Sequence, residues 1–201
     1  ITTLDDFKRA INESTRMIFS AHTSNFRLEG FTESPSLKEL SSLKNDKIVF
    51  VRDMGSGNLV NDRMPGRFEQ TVYHETSQGA DLVCFSGDKL LGGCQAGIIV
   101  GKKEIIAKLR KNPLMRMLRV DKITYTILQE TLLLYVNGKY TDTGLWSSIT
   151  QGTEEVSRRA ARLIRICGDD AKSFMKKVKT RCAYGGGSMP GEELDSFGVE
   201  I

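Results

Sequence analysis

Three short, mainly apolar runs at 17–21, 47–51 and 81–85 constrain this chain more than any other feature, because each ends in a polar cluster and helical patterns separate them. Strands spaced by helices predict an α/β fold, a mostly parallel sheet flanked by helices. In such sheets ligands bind outside the carboxyl ends of the strands. The clusters at 22–27, 52–57 and 86–93 all fall on that edge. A fourth apolar run, at 98–100, follows a glycine pair.

Between and beyond the strands, local signals set the helices. Thr3 before Asp5 and Asp6, with Phe7, Ala10 and Ile11 on one face, predicts a capped helix over 4–13. Ser36 opens the next helix, and another spans 68–77. A basic amphipathic helix over 102–111 breaks at Asn112 and Pro113, and a long helix then runs to about Tyr135, with Ile127, Leu128, Thr131, Leu132 and Leu134 as packing positions. Residues 146–150 read as a connector. The helix from Glu154 to about Cys167 sets Val156, Ala160, Leu163, Ile164 and Cys167 against Arg158, Arg159, Arg162 and Arg165. A charged helix or strand near 170–182, a glycine-rich loop and a final strand complete the chain. The expected division is 1–138 and 139–201.

With 201 residues, 39% of them hydrophobic, the chain has material for one good core and a smaller second one. A net charge of +4, spread over several helices, permits a phosphate-bearing partner without requiring one. Cys84, Cys94, Cys167 and Cys182 lack CxxC spacing and read as reduced core or near-core thiols of a cytoplasmic protein, with no metal site and no disulfide set. No apolar run approaches the roughly 18 residues of a membrane span.

Lys89 stands in a small turn at the end of the 81–85 strand. An amine so placed reaches into a cleft, where partial desolvation makes it a nucleophile able to form a Schiff base; it also reads as a surface lysine after an edge strand. Asp53, at the end of the neighbouring strand, would hold a protonated pyridine nitrogen if the carbonyl partner were pyridoxal phosphate; it equally reads as a turn residue. Asn25, on the same edge, reads as a donor to the cofactor's ring oxygen or as a turn residue. His22 reads as a satisfied strand-end histidine. Arg116 and Arg119, three residues apart, share a helix face and match a tetrahedral oxyanion, or form a solvated basic face. The arginines of 158–165 read as a solvated face, and the glycines of 185–187 as a turn.

The segment Ser86-Gly87-Asp88-Lys89-Leu90-Leu91-Gly92-Gly93, followed by Gln95-Ala96-Gly97-Ile98-Ile99-Val100-Gly101, resembles the cofactor-lysine segment of bacterial selenocysteine synthases, the L-seryl-tRNA(Sec) selenium transferase family. The stretches at 22–27, 30–33, 53–57, 112–122 and 185–194 match further family segments in the same order. Cys94 stands where the family has proline. The resemblance implies a fold-type-I pyridoxal-phosphate transferase with part of a small carboxyl-terminal α/β domain. It also implies a fragment without the family's amino-terminal region and carboxyl-terminal end. Lys89 then carries pyridoxal 5'-phosphate as a Schiff base, Asp53 and Asn25 hold the cofactor, Asp88 is an acid beside the reacting centre, and Arg116 and Arg119 bind the selenium donor's phosphate. The implied reaction converts seryl-tRNA(Sec) to selenocysteinyl-tRNA(Sec) with selenophosphate, by β-elimination through an aminoacrylyl intermediate and selenium addition, in a homo-oligomeric ring of dimers. Two readings stay open beside it: a related pyridoxal-phosphate lyase acting on a small amino or sugar acid, and a catalytically silent fragment that keeps only the assembly core.

Overall fold

The three apolar runs do lie side by side in the computed structural model, which describes residues 2–23, 30–61, 69–184, 189 and 191–201. Strands β1 (Met17–Ala21), β2 (Val49–Gly55) and β3 (Leu82–Ser86) are parallel neighbours, and β4 (Gly97–Gly101) closes the sheet antiparallel to β3, in the order β1-β2-β3-β4. The reversal at β4 follows from the short connection through residues 87–96, which contains no helix to return the chain to the opposite edge. Strand β2 starts later than residue 47 because the Asn45 side chain accepts from the N–H groups of Lys47 (2.8 Å) and Ile48 (3.1 Å), holding both in a turn. It runs on to Gly55 because Ala21 and Cys84 both offer Asp53 a ladder partner.

Helices α1 (Leu4–Ala10) and α2 (Leu37–Ser42) each start in a reciprocal capping box, Thr3 with Asp6 and Ser36 with Glu39. Helix α1 stops short of residue 13 because Asn12 and Thr15 close their own turn, with Thr15 N–H donating to Asn12 O and Asn12 N–H to Thr15 Oγ1. Helix α3 (Val72–Ser77) is capped by Thr71. The core is Ile18, Phe50, Met54, Val83 and Phe85 from the first three strands and the turn residue Leu91, with Leu40 and Val72 from the helices and Phe7, Ile11 and Leu37 against it.

Two buried polar groups hold the sheet from within. Asp81 accepts from Phe50 N–H (2.8 Å) and pairs with Lys44 (3.1 Å) and Lys102 (2.8 Å). Arg52 pairs with Glu75 (3.0 Å) and donates to Ser20 Oγ (2.9 Å).

Past β4 come α4 (Lys103–Lys111), the short turn α5 (Met115–Leu118) and the long α6 (Lys122–Val136), capped by Asp121. Of the expected α6 packing positions only Thr131 is buried; Leu128 and Leu134 are half-buried, while Ile127 and Leu132 are more than 40% exposed. Residues 146–150 are no simple connector: α7 (Gly144–Ile149) is capped by Thr143 and buries Trp146. Helix α8 (Thr153–Ile166) packs on the antiparallel pair β5 (Lys176–Ala183) and β6 (Glu193–Glu200), and a 3-10 turn occupies 170–173. Cys167 and Cys182 are exposed rather than near-core, because both fall on the solvent side of these elements. No helix among the described residues is long and apolar enough to cross a membrane.

Candidate functional site

Lys89 is placed by a tight, glycine-rich turn. Gly87 N–H donates to Ala96 O (2.9 Å), Gly93 N–H to Gly87 O (2.8 Å) and Gly92 N–H to Lys89 O (2.8 Å). A Cβ on Gly87 would lie 2.6 Å from Cys94 O, so only glycine fits. Leu90 and Leu91 are driven inward, at 2% and 0% exposure, which fixes the backbone on which Lys89 stands. Two helices clamp their carbonyls: Tyr135 Oη donates to Leu91 O (2.8 Å), and Trp146 Nε1 donates to Leu90 O (2.8 Å). Burial pushes the Tyr135 hydroxyl up to about 12, so it is a donor at any physiological pH.

Lys89 itself is half-buried, and among the described residues its amine has no hydrogen-bond or ion-pair partner. Asp88 beside it is exposed. Asp53 lies on the neighbouring strand, half-buried, and its register sets it in line with Ala21 and Cys84. Its Oδ1 accepts from Gly55 N–H (3.0 Å), while Oδ2 has no partner among the described residues. Asn25 lies outside the described residues. Arg116 and Arg119 are exposed on α5 and at its carboxyl-terminal cap, and Arg119 lines an apolar groove of about 560 Å³ with Ile98, Met115, Leu118 and Leu132. Among the described residues neither arginine side chain has a hydrogen-bond or ion-pair partner, the Lys89 turn included.

The structure adds Ser56 and Glu69, which sequence reasoning passed over, and corrects His22, read as a satisfied strand-end histidine: its Nε2 finds no hydrogen-bond partner among the described residues. His22 follows β1, and its N–H donates to Asp53 O (2.8 Å). Ser56 follows β2 and is fully buried. Glu69 precedes α3, its backbone carbonyl held by Asn58 Nδ2 (2.7 Å) and its Oε2 by Met189 N–H (3.3 Å). Among the described residues His22 Nε2, Ser56 Oγ and Glu69 Oε1 are buried without a hydrogen-bond partner, and Nε2 and Oε1 stand 3.8 Å apart. Each such orphan costs about 1–3 kcal/mol, and the cost is recovered when a polar ligand fills the space. Burial pushes the Glu69 carboxyl above its ordinary value, against the smaller opposing pull of Ser56, His22 and Lys89. A serine after a strand and a glutamate before a helix are ordinary as local pattern, so only the three-dimensional convergence marks them.

A half-buried lysine thus stands past the carboxyl end of one strand of an α/β sheet, with an acid on the neighbouring strand. Residues 1–201 match the family model SelA, L-seryl-tRNA selenium transferase, and the chain belongs to that family. It is 40% identical over 204 residues to the L-seryl-tRNA(Sec) selenium transferase of Carboxydothermus hydrogenoformans, 42% over 205 to that of Clostridium botulinum and 40% over 203 to that of Aquifex aeolicus. Each match takes in all of this chain, which spans 44–45% of the relative's length. Among solved structures, D-glucosaminate-6-phosphate ammonia-lyase superposes with a TM-score of 0.59 at 18% identity, over 90% of this chain and 41% of that one. That likeness shows the α/β fold expected from the strand pattern.

Proposed function

We propose that this chain carries the cofactor-lysine part of an enzyme converting seryl-tRNA(Sec) to selenocysteinyl-tRNA(Sec) with selenophosphate, and that Lys89 binds pyridoxal 5'-phosphate covalently. The observation that carries the reading is the half-buried Lys89, without a hydrogen-bond or ion-pair partner among the described residues and past the end of the strand that neighbours Asp53, in a member of this family. The residues present fit the group: Lys89 offers an amine, and Asp53 Oδ2, without a partner among the described residues, is placed to take a pyridine N–H. Bound there, pyridoxal phosphate supplies an electron sink for the seryl α-carbon.

Lys89 is the base nearest the reacting carbon in this reading, and it takes the α-proton. Its fixed turn, with Leu90 and Leu91 locked inward, aims the amine and limits its motion. Asp53 keeps a ring nitrogen protonated by holding a negative charge against it. Asp88 is an acid at the mouth of the site, and Arg116 and Arg119 bind the phosphate of selenophosphate as forked donors. No hydrogen bond or ion pair among the described residues ties those arginines to the Lys89 turn, and in this reading they serve a neighbouring subunit of a homo-oligomer. The division at 138, into part of a large cofactor-binding domain and part of a small one, belongs to the same reading, as does a cytoplasmic location.

The test replaces Lys89 with Ala in the full-length protein. The expected result is loss of both borohydride-fixed cofactor on the peptide containing residue 89 and selenocysteinyl-tRNA formation. Cofactor still fixed at this site, or unchanged product formation, overturns the proposal.

A further inference from the structure

The buried trio beside Lys89 has a geometry of its own. Glu69 Oε1 and His22 Nε2, 3.8 Å apart, are too far apart to bond each other, yet one oxygen at an ordinary hydrogen-bond distance of about 2.8 Å reaches both. Ser56, fully buried, also faces the Glu69 carboxyl. Glu69 is anchored for such a task. Met189 N–H donates to its Oε2 and Asn58 Nδ2 to its backbone carbonyl, so among the described residues Oε1 is the carboxyl oxygen left without a hydrogen bond. Its side chain is 6% exposed, which keeps solvent from competing.

We propose that Glu69 Oε1, His22 Nε2 and Ser56 Oγ enclose the place of one hydroxyl oxygen, the β-hydroxyl of the seryl substrate, and that Glu69 gives it the proton with which it leaves as water. The inference rests on the reading of Lys89 as the reacting amine and adds a residue to it. The balance is complete within the site. Lys89 takes the α-proton, the electrons of the C–H bond become the new carbon–carbon π bond, the C–O bond breaks with its pair on oxygen, and the proton of Glu69 completes water. Hydroxide is a poor leaving group, so an acid at this oxygen is what the elimination lacks otherwise. Burial favours the protonated carboxyl, against the groups that face it, Ser56, His22, the Met189 N–H and Lys89. A carboxyl so placed is the kind that enzymes use as an acid near neutrality.

The experiment uses the full-length protein, pyridoxal phosphate and seryl-tRNA in deuterated water, with Glu69→Gln. Deuterium exchange at the seryl α-carbon is expected to continue and cofactor affinity to stay within about twofold, while loss of water falls about 100-fold or more. In the cofactor-free protein a raised acid makes the folded state hold its proton above the ordinary value of 4.5, so stability falls as pH rises through that window; Glu69→Gln is expected to flatten this slope. Unchanged dehydration means the oxygen held there is solvent's and overturns the proposal. Exchange and dehydration falling together, or an unchanged pH slope, also overturns it. Absence of cofactor on Lys89 in the unsubstituted protein strikes the Lys89 reading instead. Should Glu69→Gln fail to fold, Glu69→Asp, which withdraws the acid by one methylene, must show the same split between exchange and dehydration.

Discussion

Trp146 Nε1 donates a 2.8 Å hydrogen bond to the carbonyl oxygen of Leu90, the residue next to Lys89, although 56 positions separate donor and acceptor. The indole also reaches Tyr135 Oη at 2.7 Å, so α6 and α7 fasten the lysine turn together. Trp146→Phe keeps an aromatic ring but removes the donor, leaving Leu90 O with Tyr135 at 3.2 Å. A loss of about 1–3 kcal/mol is expected in urea denaturation, accompanied by faster amide exchange at residues 89–92. Unchanged exchange there would show that the turn stands without its clamp.

Gly57 sits at φ +70°, and a Cβ there would fall 2.5 Å from Phe85 Cδ2. Both the left-handed backbone and the ring oppose a side chain. Gly57→Ala is therefore expected to destabilise by about 1–3 kcal/mol from the backbone alone, with more from the displaced ring. Thermal unfolding beside a Gly138→Ala control separates the two causes, since Gly138 shares the φ sign but has nothing within 4 Å.

Arg52 and Glu75 are 13% and 5% exposed, so the pair is buried between sheet and α3. Glu75→Ala strands the guanidinium with only Ser20 and is expected to cost about 3–5 kcal/mol. The double replacement Arg52→Met with Glu75→Leu is expected to recover most of that loss. Chemical denaturation of the three variants checks it; an additive double mutant would show that the pair is not coupled.

Asp81 carries a pH dependence of the opposite sign to Glu69. Burial acts to raise its carboxyl, but Lys102, the Phe50 N–H and Lys44 together outweigh it and hold the group below its ordinary 3.8. A depressed acid gives stability that is complete above the ordinary value and is lost as pH falls through the folded one. As pH falls through and below the ordinary value of 3.8 the unsubstituted protein should lose more stability than Asp81→Asn, whose own deficit is largest at neutral pH. Parallel denaturation curves across that range would remove Asp81 from the acid response.

Thr3 with Asp6, Ser36 with Glu39 and the runs ahead of residues 22, 53 and 86 spoke plainly in the sequence, because a capping box or an apolar run is a local pattern that needs no distant partner. The same patterns put Lys89 and Asp53 on one edge of a parallel sheet. The SGDKLLGG segment, with the other matching stretches, pointed to the family. Tertiary structure alone decided what surrounds the lysine. Glu69, Ser56 and His22 come from three loops whose residues are ordinary in isolation, and Trp146 stood in what read as a connector. Their meaning lies in burial: a polar atom matters once folding removes its water and leaves it facing another. Sequence periodicity records which side of an element faces inward, and the chain's path through space determines which inward-facing groups meet.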